Sequence, residues 1–533
     1  MKKHSHSRGS ASLIILFVMM VLVLMMYALA AFSTTSMSRS ERELSAAQAY
    51  HAAQAAVESE HQELIVSVGW ENGLFTYYER NIQDIPTTLP DGTTGSIEVL
   101  PFGDGKQAWL TSVAVVNGLA RSVRVQLIKK KASLWENAAT AGAGSGGATI
   151  SGNVDIRGSL HMMGDGDPYT DLNGNGVWDL GEPYNDVNSD GAYDPPLAVT
   201  DVIAAFAGGA YVGNNYDDIP AALAAMIPSI PTQNGLKTLG AEVRAKHGTI
   251  EINGSATVGL PGNIGDQKGM VDATYVSDGW SGFKGADSVF SDNGTSGQYD
   301  LGDGVKFPLI TGVGAEEYTD ASTGITYADH KAYLDAVSLT VPISEIHMDT
   351  EAFAYGPDAN GNSIQWIPPA DGADTGRLLV EGIVRIDGDL DIGEHNLIIV
   401  YGNSGGPGDR GTLYATGSIS VHSDLLPESG SIFPTDVALG MIAVRDINLA
   451  TEPGDSHLTM VGAFYAQGTV RTAKQTDIAG SIMSSYFDLG IDVPSIYQVP
   501  GMVKNLPPGM PGDRQIATVI RMSWRERAAS GGS

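Results

Sequence analysis

Apolar and polar positions divide the chain into two regimes. Leu13 to Phe32 (LIILFVMMVLVLMMYALAAF) is an uninterrupted apolar run without a charge, long enough to cross a bilayer as a helix. No Gly or Pro follows before Gly69, so nothing in the backbone stops that helix at the membrane surface. The continuation SRSERELSAAQAYHAAQAAVESEHQELIVSV is rich in Ala, Glu, Gln and Leu, all good helix formers. The pattern predicts one helix over 10–69, about 90 Å long, half in lipid and half in water.

Beyond it the period changes from helical to alternating. Residues 70–135 read as a small β region. Gly95 to Leu100 alternates, and AWLTSVAVVNGLARSVRVQLIKK reads as a hairpin turning at Asn117-Gly118. Val123, Val125 and Leu127 share one face, and Arg124 and Gln126 the other. Glu136 to Gly147 (ENAATAGAGSGG) has the composition of a linker. Over 148–479, short alternating strands such as GTIEINGSATVGL, GRLLVEGIVRIDGDLDI and GTLYATGSISVHSDL are broken by Gly, Asn or Asp. Strand, tight turn, strand at short spacing predicts a β-solenoid of stacked coils, with a β-sandwich as the alternative. Val380, Ile383, Val384, Ile386 and Leu390 are the candidate inward residues. From Gly480 the alternation fades and prolines accumulate, so 480–533 reads as an extended C-terminal cap and tail. The predicted fold is mainly β with a long N-terminal helix, a small sheet on that helix and a solenoid ectodomain.

Charge sharpens the picture. Of 31 Lys plus Arg and 61 Asp plus Glu, residues 1–131 hold 12 and 11, leaving 19 and 50 for the rest. A field of that sign argues against nucleic acid, which needs basic patches, and favours divalent cations. The chain has no Cys, which excludes a disulfide framework and thiol chemistry. Lys2, Lys3 and Arg8 precede the apolar run. By the positive-inside bias the N-terminus stays cytoplasmic and the large remainder is exported.

Met1 to Gly9 (MKKHSHSRG) is short, basic and ends in Gly. Together with the apolar run, this segment resembles the prepilins of type IV pili and type II secretion pseudopili. The resemblance implies a leader over 1–9, cleaved by a prepilin peptidase between Gly9 and Ser10. It implies a subunit held in the bacterial inner membrane and then assembled with other pilin subunits through its N-terminal helix. The fifth mature position, usually Glu in major pilins, is Ile14 here. That departure resembles the minor subunits at the tip, the PilX-like and K-type pseudopilins. The implied role is a minor pilin presenting its ectodomain on the cell surface in filament assembly and adhesion to a surface ligand.

A loop inserted over 165–197 carries the strongest chemical signal. Gly166 to Leu180 (GDPYTDLNGNGVWDL) and Gly181 to Pro195 (GEPYNDVNSDGAYDP) are a tandem repeat: Gly, acid, Pro-Tyr, then Asp-x-Asn-x-Asn/Asp-Gly-x-Trp/Tyr-Asp. The first copy meets the twelve-place EF-hand loop pattern. Asp171, Asn173 and Asn175 stand at alternate positions, Val177 offers a backbone carbonyl at the seventh, Asp179 stands at the ninth and Glu182 at the twelfth. Calcium takes six to eight hard oxygens at flexible distances, which such a loop supplies. The second copy offers Asp186, Asn188, Asp190, the Ala192 carbonyl and Asp194, but Leu197 stands at its twelfth place, so it must borrow an acid, bind weakly or remain empty. The flanking prolines argue against paired EF-hand helices; the repeats resemble the calcium loops of dockerin-type and other extracellular bacterial proteins. Asp292 to Asp303 and Asp358 to Asn362 are weaker versions of the pattern.

The alternative from another class is a signal-anchored, calcium-dependent polysaccharide-active enzyme, with Arg377, Arg385, Arg410 or Arg445 as the base. Their spacing selects no set. Gly402 to Gly406 fits G-x-S-x-G but has no helix after it. The reading is therefore non-enzymatic.

Overall fold

The computed structural model describes residues 8–66, 75–103, 107–144, 149–150, 152, 154–188, 190–302, 305–343, 346, 348, 351–402, 409–489, 494–512 and 516–528. Met1 to Ser7 of the predicted leader lie outside them. The chain divides into two compact units, one made of 1–130 with 517–533 and the other of 131–516.

In the first unit, the helix α1 runs unbroken over Arg8–Val66; after Gly9 neither Gly nor Pro interrupts it, and residues 67–69 of the predicted span lie outside the described ones. The side chains of its apolar stretch, Leu13 to Phe32, are exposed, whereas Ala49, Ala52, Ala53, Ala56 and Val57 are buried. These recur at three- and four-residue spacing on one face, and their small size lets a sheet approach closely. The strands β1 (Tyr78–Asn81), β2 (Thr94–Phe102), β3 (Gln107–Val116) and β4 (Leu119–Ala132) form an antiparallel meander. Asn117 and Gly118 both take positive φ (50° and 77°) in the predicted turn, the backbone a two-residue hairpin requires. Val123, Val125 and Leu127 are buried with Ile97, Val99 and Leu110 against the Ala face of α1. Glu60, also buried, is held by Tyr78 and Arg80.

This sheet has a fifth strand. Ile516–Ala528 lies beside β4, which corrects the reading of 480–533 as one cap and tail. The first unit is thus interrupted after β4 and completed near the C-terminus.

The second unit is a solenoid, not a sandwich: its large sheet is built from parallel pairings between successive coils, apart from the antiparallel run Phe353–Tyr355, Ser363–Ile367, Thr375–Ile386. One ladder of inward side chains runs Val384, Leu413, Met441, Phe464, Ile482, Ala139, Leu160, Val243, Thr274, each in register with the next. Of the predicted inward residues, Val384, Ile386 and Leu390 are buried at the core. Ile383 has the opposite parity and is also buried, and Val380 is half-buried. The ladder's order departs from chain order. Of the segment read as a linker, Glu136 to Gly147, Glu136 ends a short 3-10 turn, Leu134–Glu136, and Ala139–Gly144 is a strand in the middle of the stack, buried over 139–142; 145–147 lie outside the described residues. From this strand one arm extends through Leu160–Met162, Glu242–Ala245 and Ala273–Val276. The chain then crosses to Leu339–Val341 and Thr375–Ile386 at the far end of the other arm. It winds back until Thr476–Asp488 pairs with Ala139–Gly144, and Pro494–Gln498 pairs with Asp155–Arg157. Entry and exit therefore meet at a seam, where the Trp135 indole N–H donates to the Pro511 carbonyl at 2.7 Å. A domain whose ends lie together can be inserted into a loop of another.

Candidate metal centre

The tandem repeat leaves the first arm between Leu160–Met162 and Val202–Phe206 and folds into two matching loops. In the first, the Asp171 carboxylate accepts from the backbone N–H groups of Gly174 (2.6 Å), Asn175 (3.3 Å) and Gly176 (2.7 Å). The Gly176 bond, foremost, and those of its neighbours hold Asp171 below the usual carboxylate range. Asn173 and Asn175 each accept from the N–H two residues on, at 2.9 and 2.8 Å. The second loop repeats this: Asp186 accepts from Asp190 and Gly191, Asn188 from Asp190, and Asp190 from Ala192. Gly176 and Gly191, at the sixth place of each loop, have φ of 76° and 84°, the left-handed turn that favours Gly.

The two loops are related by approximate two-fold exchange. Tyr169 and Tyr184 form an antiparallel bridge, Thr170 N–H donates to Pro183 O and Asn185 N–H to Pro168 O, each at 2.8 Å. Trp178 and Tyr193, equivalent places of the repeat, stack at 4.5 Å between centroids. Their partners match as well, Trp178 with Tyr184 and Tyr193 with Tyr169, both at 5.7 Å.

The Glu182 carboxylate accepts from the N–H groups of Leu172 (2.8 Å) and Asp179 (2.9 Å), places two and nine of its own loop. Leu197, at the corresponding place of the second copy, has no side-chain oxygen to accept such bonds. Sequence reasoning missed what stands there instead. Asp167 accepts from Val187 (3.2 Å) and Asp194 (3.1 Å), places two and nine of the second loop. Burial pushes its carboxyl up to about 6. The signal was present in the repeat itself, since Gly166-Asp167-Pro168-Tyr169 aligns with Gly181-Glu182-Pro183-Tyr184.

The donor set fits a hard cation. Carboxylate, amide and backbone oxygens surround each loop, with no imidazole or thiol among the assigned residues. Among the described residues no three His, Asp or Glu side chains converge on one point. The loop centres are held by amides: Asn173 and Asn175 donate to Asp179 Oδ2 at 2.7 and 2.8 Å, and Asn188 donates to Asp194 Oδ2 at 2.8 Å.

The weaker loops are otherwise engaged. Asp292 is paired with Lys268 and Asp300 with Arg244, and Asp303 lies outside the described residues. Asp358 caps its own turn through the Asn360 and Asn362 N–H groups. The arginines considered as catalytic bases are dispersed: Arg377 pairs with Glu428, Arg385 with Asp335 and Asp387, and Arg410 donates to Asn505. Ser404, of the G-x-S-x-G match, lies outside the described residues.

No family model and no curated protein matches this chain. Among solved structures it is similar to the competence-associated pilin ComZ from Thermus thermophilus, at 16% identity and a TM-score of 0.43, over 91% of this chain and 97% of that one.

Proposed function

We propose that the chain is a minor type IV pilin or pseudopilin-like subunit that carries a calcium-stabilised acidic solenoid at or near a filament tip. The observation that carries this reading is α1. Its first half exposes an apolar surface long enough to span a bilayer, and its second half buries an Ala face against a small sheet. One element can thus pass from lipid to a stack of like helices while its far end holds a folded head. Ile14, in place of an acid, suits a subunit with no neighbour above it, because an unpaired carboxylate in lipid is costly. The leader supplies the test. Mass spectrometry of the exported chain is expected to give Ser10 as its first residue, and Gly9→Val is expected to leave the leader attached. An exported chain that retains Met1 to Gly9 and stays in the inner membrane when filaments are sheared off would remove this reading.

Calcium, in the same proposal, is structural. Asp171, Asn173, Asn175, Asp179, Glu182 and the Val177 carbonyl hold one ion, and the Asp186 to Asp194 set holds or borders another. An ion bound only by the folded state stabilises it by mass action, about 2.7 kcal/mol at a hundredfold excess over Kd. Chelation is expected to lower the melting temperature and open 165–197 to proteases. A chelated chain with unchanged melting and cleavage would contradict the structural role.

A further inference from the structure

A cavity of about 350 Å³ lies between the base of the insertion and the solenoid, at the small end of the range of ligand pockets, about 300–1,000 Å³. It is bounded by the seam at Gly142 and Ser485, by the insertion from Asp165 to Pro168 with Val187, and by the segment 306–314 through Phe307 and Leu309. That segment is fastened to the solenoid. The Tyr465 hydroxyl donates to the Pro308 carbonyl at 2.6 Å, and the Gln467 side-chain oxygen accepts from the Ile310 and Thr311 N–H groups at 2.9 and 3.0 Å. The Phe307 ring stacks on Tyr465 with centroids 5.6 Å apart. The cavity is therefore preformed, and a ligand need not order its walls.

Its lining is apolar in one part and polar in another. Phe307, Leu309, Pro168 and Val187 supply the apolar part. Lys246, 8% exposed, donates to Asp165 Oδ1 at 2.6 Å and to the Val305 carbonyl at 3.5 Å, and His247 Nε2 lies 3.6 Å from the same Asp165 oxygen. Asp165 Oδ2 is buried and has no hydrogen-bond partner among the described residues, a costly condition for a carboxylate oxygen. Asp167, 2% exposed, accepts one N–H at each oxygen, and each can take a second donor. The charges of the lining cancel, Asp165 and Asp167 against Lys246 and Lys306, so a charged ligand would leave one charge uncompensated in a partly desolvated site.

We propose that this cavity binds one uncharged pyranose sugar. Such a ring has hydroxyls that both donate and accept, and faces made of C–H groups. Its hydroxyls donate to Asp165 Oδ2 and Asp167 and accept from Lys246, while a C–H face packs on the wall of Phe307 and Leu309. A wholly apolar ligand would leave Asp165 Oδ2 unmet, and an ammonium group would meet Lys246. The inference adds a recognition site to the subunit proposed above and rests on neither the leader nor calcium.

The test is saturation-transfer NMR on the full chain, in a detergent without a sugar headgroup, with the methyl glycosides of glucose, galactose, mannose and N-acetylglucosamine. At least one is expected to bind in the millimolar range, and glucuronate and glucosamine more weakly. Asp165→Asn is expected to weaken binding about tenfold or more, the range for a hydrogen bond to a charged acceptor. Leu309→Trp, which fills the cavity, is expected to abolish it at an unchanged melting temperature. Leu309→Trp leaves the Asp165–Lys246 pair intact, so it decides the matter even where Asp165→Asn fails to fold. Absence of binding by every glycoside would overturn the proposal. So would binding that survives both substitutions, tighter binding of either charged sugar, or preference for indole, which has no hydroxyl to meet Asp165.

Discussion

Gly480→Ala is expected to destabilise the solenoid by about 3–5 kcal/mol, the range of a backbone clash with no means of relief. Gly480 lies in the strand Thr476–Asp488 with φ of 149°, opposite Gly462 of the neighbouring strand. A Cβ there would lie 1.8 Å from the Gly462 carbonyl oxygen. The obstacle is backbone, so no rotamer change relieves it. The backbone is pinned on both sides, by Val461 against Ala479 and by Ala463 against Ser481. Separating the strands would break the ladder near its closing seam. Gly430→Ala is the control: its φ of 88° also disfavours a side chain, but its surroundings are open, so the expected loss is about 1 kcal/mol. Denaturant midpoints of the two variants check the difference. Equal losses at both positions would mean that the Gly462–Gly480 register is wrong.

What the sequence discloses depends on how local the cause is. The helix is legible because a helix is limited by Gly and Pro within itself, and none lies between Ser10 and Val68. The hairpin is legible because Asn117-Gly118 supplies two positive φ values at the turn. Val384, Ile386 and Leu390 are legible because alternation decides which side of a coil faces inward. The order of the coils is not local. Ala139–Gly144 resembles a linker because small residues make flexible linkers, yet small residues are also what a strand in a crowded seam requires. A Cβ on Gly142 would lie 2.8 Å from the Phe307 ring. The placement of Ile516–Ala528 beside β4 joins residues almost four hundred positions apart, which no window of the sequence contains. The candidate site falls between these cases. The oxygen-bearing places within each loop follow from spacing, whereas Asp167, which accepts from the Val187 and Asp194 N–H groups of the second loop, precedes both loops and is visible only when the repeat is aligned with itself.

That non-local closure gives the last prediction. Trp135→Ala is expected to cost the solenoid about 4 kcal/mol, and Trp135→Phe about 2 kcal/mol, since the ring is largely replaced but the Pro511 carbonyl loses its donor. Trp135 is fully buried in the turn Leu134–Glu136, where the Ser133 side chain accepts the Trp135 N–H, and its indole bonds the exit segment. It is thus a contact between residues that enter and leave the same domain. Its loss lets the seam open without removing any rung. Hydrogen exchange separates this from a general loss of packing. Protection is expected to fall first at Ala139–Gly144 and Thr476–Asp488, then along both arms, while β2 and β3 of the other unit keep theirs. A variant that loses less than about 1 kcal/mol, or that exchanges first at the far ends of the arms, would show that the seam does not hold the solenoid closed. The distinction matters for an inserted domain, because the chain crosses between the units at both ends of the insertion. A closed seam fixes the separation of those crossings. With the seam open, β4 and Ile516–Ala528 would have to find each other across a flexible loop, at the entropic cost of closing it.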